Sequence, residues 1–274
     1  MSFARSIRAV PFPAESSTIE KYIAFKFTSG KKYGSIRTGV TAVSFIHKMN
    51  DKPDPTKSYR ISRLFRGVKR NSKTKSKLLP ISYSLLLKIL DRSYSIVNEY
   101  EKISFQSIIL LLYYGCLRIG ELVKSGEPKH MINTEGIKFL YNKTTLSGVR
   151  ITLDSFKHSD DPVTFKINCA PGNYCPVLTL LKFISLRGCK PGKIFLKSNG
   201  KWITRDFIAS HVKTIVSSLG LNKALYNTHS FRIGRASDLA KKGVPDQVIK
   251  KIGRWESSAY TRYIRFEDFT VPAP

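Results

Sequence analysis

Gly136-Ile-Lys-Phe-Leu-Tyr141, Val149-Arg-Ile-Thr-Leu153 and Val163-Thr-Phe-Lys-Ile167 are three short alternating or β-rich runs in a chain that otherwise reads as helix. Their spacing predicts a small antiparallel sheet. Helical patterns precede them at about 82–95, 103–114 and 119–124. More follow at about 176–187, 205–219, 229–242 and 245–252, with a last short one around Tyr260–Tyr263. Helices, a small sheet and then helices again argue an α+β domain rather than a doubly wound parallel sheet.

Upstream the pattern is purely helical. Ser17-Thr-Ile-Glu20 reads as a capping box opening a first helix, which Ser29-Gly30 closes. A second helix spans about 35–49, with Ile36, Val40, Val43, Phe45 and Ile46 as its apolar face, until Asp51-Lys-Pro-Asp-Pro55 breaks it. A third, about 59–70, buries Ile61, Leu64, Phe65 and Val68 and exposes Arg60, Arg63, Arg66, Lys69 and Arg70. Such a basic face suits phosphate contacts. The polar, aperiodic run over 71–78 marks a boundary. The expected organisation is an all-α domain at 1–72, a linker at 73–78 and the α+β domain at 79–274.

The chain has 274 residues, with 47 Lys and Arg against 19 Asp and Glu, a formal net charge of +28. Residues 1–78 hold 18 of those basic residues against four acidic ones, a net of +14, so that segment is the denser electrostatic surface. A charge of this size opposes compaction and calls for a polyanionic partner. Nucleic acid is the natural one, because each Lys or Arg on a phosphate releases a counterion. A hydrophobic fraction of 42% is enough for packed cores and argues against wholesale disorder. Cys116, Cys169, Cys175 and Cys189 form no C-x-x-C pair and no His/Cys cluster at zinc spacing, so no metal site is expected. Ile108–Tyr114, the longest apolar run, is too short to span a bilayer, and no secretory signal opens the chain. A nuclear or cytoplasmic setting follows, with no membrane partner.

Three constellations carry chemistry. In Thr228-His-Ser-Phe-Arg232 the spacing puts His229 and Arg232 on one face at a helix start, where free amides favour an anion. Gly115-Cys-Leu-Arg-Ile-Gly-Glu-Leu122 follows an apolar helix that Gly115 can end, leaving Arg118 in the connection with Glu121 three residues on. Gly253-Arg-Trp-Glu-Ser-Ser-Ala-Tyr-Thr-Arg-Tyr-Ile-Arg265 adds an indole donor, two tyrosines and three arginines. Each alone is unspecific; their order is not. A metal-dependent nuclease or a DDE-type integrase would need clustered carboxylates, and the adjacent pair Asp160-Asp161 has no partners at suitable spacing.

An Arg in L-R-I-G-E-L, a downstream H-S-F-R, then G-R-W and a Tyr before Ile-Arg resembles the tyrosine recombinase (phage integrase) family over nearly the whole chain. The flavour is most similar to the recombinases of DIRS-like retrotransposons and cryptons, through His229-Ser-Phe-Arg-Ile-Gly234, Gly243-Val-Pro-Asp246 and Gly253-Arg-Trp255. The resemblance implies a SAM-like core-binding domain followed by a catalytic domain of the DNA breaking-rejoining fold. It implies double-stranded DNA as partner, a homo-oligomer that is a tetramer on DNA in synapsis, and no cofactor. Tyr263 is implied as nucleophile, with Arg118 and Arg232 on the scissile phosphate and His229 handling a proton. Trp255 would donate its indole N–H, and Glu121 would support the arginines. The leaving 5′ oxygen would be protonated by a hairpin lysine, for which Lys157 in Ser155-Phe-Lys-His-Ser-Asp160 is the candidate and Lys166 the fallback. Tyr260 is the alternative nucleophile, because Trp255 and Tyr263 lie one residue closer than in many phage members. A type IB topoisomerase would share the chemistry. A catalytically idle, domesticated DNA-binding protein is the reading from a different class.

Overall fold

A computed structural model describes residues 2–72, 78–126, 130–155, 161–188 and 190–265. The chain divides into two compact units, Met1–Ser76 and Lys77–Pro274.

The first unit is helical: α1 (Ser2–Ser6), α2 (Ser16–Thr28), α3 (Tyr33–Met49) and α4 (Tyr59–Asn71). Ile19, Ile23, Ile36, Val40, Ile61 and Val68 form its core. The expected capping box is not made. Glu15 is the N-cap of α2, without a side-chain cap bond, and Ser17 already lies inside the helix. Ser16 turns its hydroxyl to Pro55 O at 2.8 Å, a tertiary bond that outcompetes the local cap. On α3 the buried stripe is Ile36, Val40 and His47, with Val43 packed beside it. Phe45 and Ile46, expected on that face, are exposed. At ~100° per residue Phe45 sits about 180° around the helix from Ile36. Ser58 caps α4 by accepting from Ile61 N–H at 3.2 Å. Arg60, Arg63, Arg66, Lys69 and Arg70 all face solvent.

The second unit is built on α6 (Glu99–Tyr114), whose sequence is apolar on almost every side and which buries Ile103 to Phe105 and Ser107 to Tyr113. A helix of this kind must be surrounded. Asn98 caps it and Glu99 and Glu101 face its positive end, which starts the helix earlier than the apolar run suggests. Around it lie α5 (Tyr83–Arg92), α7 (Ile119–Leu122), α8 (Pro176–Arg187), α9 (Arg205–Ser218), α10 (His229–Lys241) and α11 (Asp246–Gly253). Strands β1 (Ile137–Asn142), β2 (Thr145–Leu153) and β3 (Val163–Asn168) make one antiparallel sheet in that order. Val149, Ile151 and Leu153 alternate into the core from the central strand. The architecture is the mainly helical α+β domain with a small antiparallel sheet that the sequence predicts. Among the described residues no helix is long and apolar enough to cross a membrane.

Candidate active site

The site begins where α6 ends. Gly115 keeps a helical φ of −85°, and the left-handed turn falls on Cys116 at φ 49°. Gly115 is needed for space: a Cβ there would lie 3.0 Å from Leu111 O and 3.2 Å from Ile167 Cδ1. The turn delivers Arg118 to the N-cap of α7. Glu121, 3% exposed, reaches back: its Oε2 accepts the Arg118 backbone N–H at 2.9 Å and its Oε1 meets Arg118 Nη1 at 3.1 Å.

Arg232 enters from α10 and is 1% exposed. Its guanidinium donates to Cys116 O at 2.5 Å and to Gly253 O at 2.6 Å, so it joins the end of α6 to the end of α11. The Trp255 indole lies over it, with the guanidinium carbon 4.4 Å from the ring centre, a contact that holds a desolvated cation. Gly253 makes room for that indole, since a Cβ there would fall 1.8 Å from the ring.

Tyr263 ends a 3-10 helix, Ser258–Tyr263. Its ring centre is 4.9 Å from Trp255 and 5.1 Å from His229, and the Arg232 guanidinium lies 5.4 Å from it. Buried Ser237 of α10 pins the segment, donating to Tyr263 O at 3.1 Å and accepting from Arg265 N–H at 3.0 Å. Tyr260 is buried with Ala236, Leu239 and Ile249, a cluster against which Trp255 and Tyr263 also pack, and its ring centre lies 6.5 Å from Trp255, but its hydroxyl donates to Asp246. That hydrogen bond and burial raise its pKa.

His229 is the first residue of α10 and part of its surface is open. Its pKa is nevertheless pushed down to about 4, first by desolvation and then by the guanidiniums of Arg232, Arg118, Arg205 and Arg265. The imidazole is therefore neutral at pH 7 and able to take a proton. A phosphate bound among the same arginines would offset their charge and raise that value. We expect an NMR titration of His229 to show a midpoint near 4 in the free protein and a higher one with DNA bound. A free-protein midpoint near 6.5 would show that burial and the arginines leave the imidazole unperturbed. The same depression implies that stability rises with pH between about 4 and 6.5, where the unfolded chain holds the extra proton.

The structure thus brings Arg118, Glu121, His229, Arg232, Trp255 and Tyr263 into one cluster, with Tyr260 at its edge and the Tyr260 hydroxyl turned to Asp246. Lys157 lies outside the described residues. Lys166 is on β3 opposite Arg150. It lines a cavity of about 1510 Å³ with Tyr83, Tyr113, Tyr114, Phe165 and Asp238, and none of the six clustered residues lines that cavity. Sequence reasoning counted Arg254 among the three arginines of its segment but gave it no role. This residue, at φ 54°, follows α11 and donates to Glu121 Oε2 at 3.1 Å and to Gly115 O at 3.1 Å. The signal lay in Gly253-Arg-Trp255, where attention fell on the indole. Arg265 was likewise counted without a role and Arg205 was missed, because nothing local ties either to His229.

Chemically, the cluster sets several guanidiniums, a neutral imidazole and an indole around one phenol, with Glu121 as the buried carboxylate among them. Such a shell stabilises an anion whose charge grows during reaction.

The fold is that of the catalytic domain of tyrosine recombinases. The Tn1549 transposon integrase bound to transposon right end DNA superposes with a TM-score of 0.61 at 17% identity, covering 99% of this chain and 88% of that one. The XerH site-specific recombinase in a post-cleavage complex on a palindromic difH substrate gives 0.64 at 16%, covering 97% and 72%. A lambda integrase dimer bound to a COC′ core site gives 0.59 at 14%, covering 100% and 89%. No protein-family model and no curated protein matches the sequence.

Proposed function

We propose that this chain is a site-specific DNA recombinase or integrase that cleaves and rejoins double-stranded DNA through a 3′-phosphotyrosine, with Tyr263 as nucleophile. The observation that carries the reading is the packing of the Tyr263 ring against His229, Trp255 and the Arg232 guanidinium, on a fold shared with DNA-bound integrases. Tyr263 Oη attacks phosphorus while its proton passes to His229. The new O–P bond replaces the bond to the 5′ oxygen, which leaves as a hydroxyl after taking a proton from Lys157. Arg118 and Arg232 neutralise the non-bridging oxygens, and the Trp255 N–H donates to them. Because the phosphotyrosine conserves the phosphoester, a different 5′ hydroxyl can reverse the step with no nucleotide consumed.

In this reading the segment 1–72 is a core-binding domain whose face of Arg60, Arg63, Arg66, Lys69 and Arg70 lies on phosphates. Among the described residues only Arg60 of these five has an acidic neighbour, Glu20 at 3.9 Å, so the face is largely uncompensated. The sequence motifs favour a mobile element of the DIRS-like or crypton type, acting as a tetramer on DNA.

Trapping tests the proposal. Wild-type protein is incubated with nicked duplexes from its element's ends in EDTA and run on a denaturing gel. A protease-sensitive shifted band is the expected result. Clear DNA binding with no band would instead favour the idle binder.

A further inference from the structure

We propose that Arg254 is a positioning residue for this reaction, holding Glu121 so that Arg118 keeps its guanidinium available to the phosphate. The inference rests on the recombinase reading above. Arg254 cannot itself serve the substrate well, since its side chain is 6% exposed against 23% for Arg118. Its guanidinium stacks on Phe165 at 4.7 Å and donates to Gly115 O and, at 3.4 Å, to Cys116 O.

The two oxygens of Glu121 decide the argument. A carboxylate facing one arginine takes its planar fork with both oxygens. Here Oε2 is already held by the Arg118 backbone N–H and by Arg254 Nη2, so the Arg118 guanidinium meets the acid through Nη1 and Oε1 alone. Without Arg254, Oε2 would be a buried carboxylate oxygen lacking a charged donor, and the nearest guanidinium is that of Arg118. The fork would then close on Glu121 rather than on substrate. Arg254 acts on the backbone as well. Cys116 is left-handed at φ 49°, a conformation disfavoured for a residue with a Cβ. Arg254 and Arg232 both donate to its carbonyl, so the corner that aims Arg118 is braced by two cations.

The test uses the full chain and nicked duplexes carrying either a normal scissile phosphate or one of its two methylphosphonate diastereomers, in which a neutral methyl replaces one charged oxygen. Arg254→Ala and Arg118→Ala should each lose ~10²–10³ in single-turnover cleavage of the normal phosphate. The same single diastereomer should restore both, because it removes the oxygen that Arg118 must neutralise. Should Arg254→Ala fail to fold, Arg254→Lys keeps the charge but cannot span Glu121 and both carbonyls, and the same stereospecific rescue is expected. Wild-type-like cleavage by a folded Arg254 variant would overturn the inference. So would a loss that neither diastereomer, or only the one that fails Arg118→Ala, restores. A wild type that leaves no adduct on the normal phosphate overturns the recombinase reading, and this inference with it.

Discussion

Tyr263→Phe is expected to bind DNA as tightly as the wild type and to form no covalent adduct. Tyr263 is held through its ring contacts with His229 and Trp255 and through its backbone carbonyl on Ser237, none of which involves the hydroxyl. Phenylalanine keeps all three. What it removes is the one oxygen that could join phosphorus, so the loss of adduct should be complete rather than graded. Tyr260→Phe is the informative contrast. Its hydroxyl is committed to Asp246, so the change should lower stability slightly and leave trapping intact. Both variants are run beside wild type on the same nicked duplex, with binding followed by gel shift under native conditions. A persisting adduct from Tyr263→Phe, lost in Tyr260→Phe, would move the nucleophile to Tyr260.

The largest stability effect is expected at Gly234, within α10 between Arg232 and Ser237. A Cβ there would fall 1.7 Å from Ile81 O and 2.4 Å from Ile81 C. Those are backbone atoms, and they cannot swing aside as a flexible side chain would. The segment is held on both sides, by Leu79 N–H to Leu225 O and Ile81 N–H to Ser230 O, both at 2.9 Å. Gly234→Ala must therefore pull the start of the second unit off α10. Overpacking of a core costs ~1–3 kcal/mol, and the displaced hydrogen bonds add about 1 kcal/mol each. A total of about 3 kcal/mol corresponds to a fall in Tm of roughly 6–12 °C for a unit of this size. Gly67 on α4 supplies the control: nothing lies within 4 Å of a Cβ there, so Gly67→Ala should gain roughly 0.5–1 kcal/mol from helix propensity. Thermal unfolding followed by circular dichroism separates the two, and a Gly234→Ala protein melting with the wild type would refute the close approach of Ile81.

The fold class was legible because it rests on periodicity. Alternation at Val149, Ile151 and Leu153 and the near-continuous apolar run of α6 are local patterns that fall directly out of burial. Errors fell where a tertiary partner overrode a local preference. Ser17 lost its capping role when Ser16 found Pro55, and Phe45 sat beyond the stripe that α2 and α4 cover.

The residues proposed for chemistry were named from motif order, and sequence alone determined which side chains were available: two arginines, a histidine, an indole and two tyrosines at set spacings. It could not choose between the tyrosines on physical grounds. Three residues apart in a 3-10 turn, the two tyrosines share a face and both rings lie near Trp255, so only the tertiary neighbours separate them: Asp246 takes the Tyr260 hydroxyl and His229 packs on the Tyr263 ring. Arg254 lay beyond sequence reasoning for a similar cause. Its partners Gly115, Cys116 and Glu121 lie more than 130 residues away along the chain, and a buried carboxylate's choice of donor is settled by which cations the packed helices bring within reach.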